Sequence, residues 1–188
     1  MTIPRLTASQ SVLLVVDIQD KLLKAIPTAA ELVKNAGFLL DVATLLGVPA
    51  MATEQYPKGL GPTHESIARR LPGSPPAKTA FSCCGAAGFL SELRKQNRTS
   101  VVVVGMEAHV CVLQTVLDLL EAGFEVQLPV DAVASRFAID CETALRRLER
   151  AGAIPTTVET VAFEWLGDAS HPWFKAVSKL ILERSANS

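Results

Sequence analysis

The chain alternates short apolar runs with longer stretches whose apolar residues recur at helical spacing, and it does so along nearly its whole length. Val12 to Val16 is continuously apolar, as a parallel strand covered on both faces should be, which predicts a first strand over Ser11 to Val16. A helix follows from near Thr28, where Thr28-x-x-Glu31 reads as a capping box and Gly47 stands just past the last turn. A second strand is expected over Val48 to Thr53. It leads into a Pro/Gly-rich loop from Tyr56 to Pro62, a short helix around Glu65 to Arg70 and a weak strand near Lys78. The pattern continues with a helix over Ala87 to Gln96, a strand at Val101 to Val104, and a helix from Val112 to Ala122 that stops at Gly123. The last predicted elements are a strand at Glu125 to Leu128, a helix at Cys141 to Ala151, a strand near Thr157 to Thr160 and a helix from Pro172 to Arg184. This succession predicts an α/β fold: a doubly wound, mainly parallel six-stranded sheet in the order 3-2-1-4-5-6 with helices on both faces. Its ligand crevice opens where the strand order reverses, at the C-terminal ends of strands one and four.

Two residues with chemistry to offer fall at that crevice. Asp17 ends the first strand, and a charge closing a wholly apolar run must be paired or hydrated. Cys111 follows the fourth strand in Gly105-Met106-Glu107-Ala108-His109-Val110-Cys111, where a helical pattern begins. A free thiol titrates near about 8.5, so a cysteine nucleophile needs a base, a cation or a helix N-terminus beside it. Lys78, at the weak third strand, is the candidate cation. Asp17 is the candidate acid/base, and the amide groups that start the Cys111 helix are candidates to receive an oxyanion. His109 stands two residues before Cys111, too near in sequence for a Cys-His dyad, and is expected at the pocket rim. Phe81, three residues after Lys78, together with Tyr56 and Gln19, completes the residues expected to line a pocket.

Composition narrows the function classes. At 188 residues and 49% hydrophobic content the chain suits one domain, read here as 1–188. A formal net charge of -1, with basic and acidic residues interspersed, argues against nucleic acid as a partner. Every long apolar stretch is broken by charge, Gly or Pro, so no membrane association is expected and a cytoplasmic location is. The four cysteines, Cys83, Cys84, Cys111 and Cys141, are expected as reduced thiols; a redox role for the adjacent Cys83 and Cys84 conflicts with disulfide geometry. His64, His109 and His171 form no ligand spacing, and the turn after the first strand holds no glycine, so neither a metal nor a dinucleotide or other cofactor is expected. The apolar content suggests a homo-oligomer.

Three segments, Val15-Val16-Asp17-Ile18-Gln19, Lys78 after its Pro-rich loop, and Gly105 to Val112, resemble the signatures of the isochorismatase-like cysteine hydrolases. Asp131-Ala132-Val133-Ala134-Ser135-Arg136 downstream agrees, and the loop from Thr53 to Gly59 is closest to family members of uncharacterised substrate. The resemblance implies Cys111 as nucleophile, Asp17 as general acid/base and Lys78 as the cation that holds and activates both. It also implies a cis peptide at Met106-Glu107, with the N–H groups of Glu107 and Cys111 forming an oxyanion hole. Metal-binding nicotinamidases carry Asp-x-His where this chain has Glu54-Gln55-Tyr56, which argues against nicotinamide as substrate. The implied activity is metal-independent hydrolysis of a small amide, carbamoyl or related acyl compound through a Cys111 thioester. The alternatives are vinyl-ether hydrolysis of the isochorismatase type and a non-catalytic binding or scaffolding role.

Overall fold

The computed structural model describes residues 5–186. Ser11–Val16 forms β1, buried along its whole length. After it come α1 (Asp20–Leu23), α2 (Ala29–Leu46), β2 (Ala50–Gln55), α3 (Pro57–Leu60), α4 (Glu65–Ala68), β3 (Ala77–Lys78), α5 (Phe89–Lys95) and β4 (Ser100–Met106). A π-helical segment, Ala108–Val112, then runs into α6 (Leu113–Glu121). The chain ends with β5 (Glu125–Pro129), β6 (Val133–Ala134), α7 (Ala138–Ala151), β7 (Ile154–Thr156), α8 (Val158–Leu166) and α9 (Phe174–Ala186).

The strands pair in parallel in the order β3-β2-β1-β4-β5-β7, which is the doubly wound arrangement expected from the sequence. The edge strand is seventh rather than sixth in chain order, because the two-residue β6 lies against the C-terminal end of β4, pairing Gly105 with Val133 and Met106 with Ala134. Two residues are too few to leave a periodic signal. Successive residues of β1 divide between two cores. Leu13 and Val15 pack with Leu39 of α2 and Val161 and Trp165 of α8, while Val12, Leu14 and Val16 pack with Leu93 of α5, Val116 of α6 and Leu148 of α7. Each such side chain, fully withdrawn from water, contributes about 1.5–3 kcal/mol of transfer free energy.

Two local expectations are corrected. Thr28 precedes α2, but its side chain makes no cap hydrogen bond, so no capping box forms there. The strand expected near Thr157 to Thr160 is the start of α8: Thr157 is extended and its hydroxyl accepts from the Thr160 amide, which caps the helix. β7 lies just before it.

Candidate active site

The crevice at the sheet's C-terminal edge is set by a close approach of β1 and β4. Val16 pairs with Gly105, whose φ is 128°; a Cβ built there would meet the Val16 carbonyl oxygen at 2.1 Å. Only glycine allows the strands to meet in this way. One residue on, Asp17 turns out of the strand with φ 51°, a conformation uncommon outside glycine, and its carboxylate enters the crevice fully buried.

Two donors converge on that carboxylate. Lys78 Nζ donates to Oδ2 at 2.6 Å and Thr53 Oγ1 donates to Oδ1 at 2.8 Å, and the Cys111 thiol lies beside the same group, near enough for each to shift the other's proton affinity. Asp17, Lys78 and Cys111, far apart in the chain, are thus brought together. The Lys78–Asp17 ion pair has no exposed side-chain surface. Burial holds the Asp17 pKa above the usual carboxylate value, against the opposing pull of Lys78 and of the hydrogen bonds from Cys111 and Thr53. The Cys111 thiol is pushed up to about 12, chiefly by burial and then by the charge of Asp17, with Lys78 opposing. Cys111 therefore rests as a protonated thiol beside the Asp17 carboxylate.

Lys78 holds Asp17 directly and acts on Cys111 through space. An ammonium has three N–H bonds, and Lys78 faces four acceptors: Asp17 Oδ2, Gln55 Oε1 at 2.7 Å, Phe81 O at 2.9 Å and, more distantly, Ala80 O at 3.3 Å. None is left for the thiol, so Lys78 reaches Cys111 only through its field.

Cys111 itself lies in the π-helical first turn after β4, where the amides of Val110 and Val112 both donate to Glu107 O, at 3.0 and 3.2 Å. The Met106–Glu107 peptide that leads into this turn is cis. Two side-chain ties fix the turn against the region after β6. Glu107 Oε2 accepts from both the backbone N and the Nε of Arg136, at 3.1 and 3.0 Å, and His109 Nδ1 lies 3.0 Å from Ser135 Oγ.

The remaining pocket candidates divide. Tyr56 and Phe81 are both more than half exposed beside the Lys78 segment: the Tyr56 amide donates to Lys78 O, and Phe81 O accepts from Lys78 Nζ. His109 turns its ring toward Ser135 and, at 3.8 Å, Asp140. Gln19 is corrected: it is fully buried, and its amide clamps main chain, donating to the carbonyls of Gln55 and Gly61 and accepting from the Gln55 amide at 2.8 Å. It positions the loop after β2. Sequence reasoning missed Thr53 and Gln55 as parts of the site. Their signal was present, since two polar residues spaced by two near the end of a strand face the same side. Among the described residues the cysteines are all free thiols, no group of three or more His, Cys, Asp or Glu side chains is placed to hold a metal ion, and no helix is long and apolar enough to cross a membrane.

The chain is similar to known proteins over most of its length. Residues 11–160 match the isochorismatase domain family. The human isochorismatase domain-containing protein 2 is 42% identical over 185 residues, covering 98% of this chain and 89% of that protein. A solved structure described as the MAR1 ribonuclease from Caenorhabditis elegans is 42% identical with a TM-score of 0.89, covering 95% of this chain and 93% of its own. YcaC from Pseudomonas aeruginosa, at 24% identity, shares the fold with a TM-score of 0.89 over 100% of this chain and 96% of its own.

Proposed function

The chain belongs to the isochorismatase family, and from that premise we propose that it is a cysteine hydrolase cleaving a small amide, carbamoyl or related acyl compound through a thioester on Cys111. The observation that carries this reading is the buried cluster that sets the Cys111 thiol beside the Asp17 carboxylate while Lys78 and Thr53 hold its two oxygens. As the substrate carbonyl carbon approaches, Sγ forms a bond to it and the thiol proton passes to Asp17, whose raised proton affinity suits a base. The carbonyl oxygen becomes an oxyanion received by the backbone N–H groups of Glu107 and Cys111. Asp17 returns its proton to the leaving nitrogen, the C–N bond breaks, and a thioester remains. Water then attacks the thioester carbon, giving a proton to Asp17, and the thiolate leaves and recovers that proton.

A second reading comes from the relative described as a ribonuclease. A phosphodiester would carry negative charge toward the carboxylate of Asp17, while the protons of Lys78 are already engaged. A neutral acyl carbon suits this site better. The deciding experiment offers the protein a panel of small neutral amides and carbamoyl compounds, with RNA and vinyl ethers in parallel, and quenches with acid for site-resolved mass spectrometry. The expected result is substrate-derived acyl mass on Cys111 alone and no turnover in Cys111→Ala. Turnover of a vinyl ether or RNA that survives in Cys111→Ala would replace the thioester mechanism, and no turnover of any compound would favour the binding role.

A further inference from the structure

β2 ends in Ala52-Thr53-Glu54-Gln55, and strand alternation separates its last polar residues. Glu54 turns to the loop, where Oε1 accepts from both the amide and the hydroxyl of Thr63. Thr53 and Gln55 face the other way, are buried, and each makes a short bond to one member of the ion pair. The direction of every bond is fixed by proton counting. An ionised carboxylate only accepts, so the single Thr53 hydroxyl proton points to Asp17 Oδ1. The 3.2 Å contact between Thr53 Oγ1 and Cys83 Sγ must then have the sulfur as donor. Cys83 can fill that part, because burial first and the charge of Asp17 second push its thiol up to about 11. It is held in place by its own amide, which donates to Thr115 Oγ1 at 2.9 Å. Gln55 is equally constrained: Nε2 donates to Thr79 O at 2.9 Å, which aims Oε1 at Lys78.

We propose that Thr53 and Gln55 are positioning residues for the proton transfer, Thr53 capping Asp17 Oδ1 directly and Gln55 pinning the Lys78 ammonium on Oδ2, so that the carboxylate is held with its remaining capacity turned to Cys111. The inference rests on the hydrolase reading above. The groups facing Asp17 are Lys78 from β3, Thr53 from β2 and Cys111 from the π-helical turn, with Cys83 behind Thr53. A hydrogen bond donated to a carboxylate favours its ionised form, so losing the Thr53 donor lets Asp17 keep a proton to higher pH.

The test uses p-nitrophenyl acetate as a generic acyl donor, with single-turnover acylation of Cys111 followed by site-resolved mass spectrometry as a function of pH. In Thr53→Val the acid limb of the acylation profile moves up by about one pH unit and the neutral-pH rate falls roughly tenfold, and Thr53→Ser restores both. Gln55→Met, which leaves every group on Asp17 in place, moves the same limb in the same direction through the loosened ammonium. Thermal melting of each variant reports folding separately. A uniform loss of rate with an unmoved limb, or no change in either variant, overturns the positioning role. If instead Asp17→Asn keeps the same acid limb of Cys111 acylation as wild type, Asp17 is not the base, the hydrolase reading itself fails, and the inference falls with it.

Discussion

A cysteine nucleophile is commonly pictured as a thiolate held ready by a neighbouring cation, and Cys111 is arranged otherwise. On the hydrolase reading its neighbour Asp17 is both the acceptor of its proton and a negative charge that resists its ionisation, while the Lys78 ammonium directs its N–H bonds to Asp17, Gln55 and Phe81. Removing that charge has a signed consequence. In Asp17→Asn the thiolate loses a repelling neighbour, so the Cys111 pKa falls below its value of about 12, though burial still holds it up. Alkylation of Cys111 by iodoacetamide, followed against pH by peptide mass spectrometry, is therefore expected to become faster in mildly alkaline solution. Turnover in the same variant is lost, because no base remains to accept the proton or return it to a leaving group. A variant that is both less reactive and less active would contradict this account. The three residues of the cluster were legible in the sequence for physical reasons: Asp17 is a charge ending an apolar strand, Cys111 follows the strand that topology places beside it, and Lys78 falls at a strand edge. Thr53 and Gln55 were not singled out, because the strand was expected to stop at Thr53, which left Gln55 in the loop and hid that the two share a face.

At the scale of elements, errors of reading trace to side-chain hydrogen bonds that compete with propensity. Thr156-Thr157-Val158-Glu159-Thr160 is rich in β-branched residues and reads as a strand, yet the Thr157 hydroxyl accepts from the Thr160 amide and starts α8 instead. Thr157→Ala removes that acceptor and is expected to cost about 1 kcal/mol, seen as a lowered chemical-denaturation midpoint with an unchanged slope, while Thr157→Ser stays near wild type. Thr28 presents the opposite case, a capping-box sequence whose hydroxyl makes no cap bond at the start of α2. A motif at a helix start is a set of possible bonds, and the chain's route into the helix decides which of them form. The π-helical turn of Ala108–Val112 was likewise beyond sequence reasoning, which expected the helix to begin only at Val112. Its position is set by Glu107 and His109 gripping Arg136 and Ser135, contacts between segments more than twenty residues apart.

For the whole molecule, the strand order and the place of the crevice followed from the alternation of apolar runs, because a parallel sheet with helices on both faces leaves few topologies open. Assembly is less directly written in the chain. Phe137 and Ile139, at the start of α7, are each more than 60% exposed, large apolar surfaces for an isolated chain. The homo-oligomer expected from composition would use such residues. Sedimentation velocity should then show a species larger than the 20.1 kDa chain, with Phe137→Ser and Ile139→Ser together shifting it to the monomer. A wild-type chain that sediments as a monomer at all concentrations would dismiss the expectation. The buried, proton-bearing thiol also bears on how the protein ages. Peroxides and stray electrophiles react with thiolate, and the fold withholds that form from Cys111. In an unfolded chain the same sulfur, back near its ordinary pKa, is the easier target. Folding thus acts as a chemical shelter for the Cys111 thiol, and oxidative damage there should accumulate on chains that have lost their structure before it touches those that keep it.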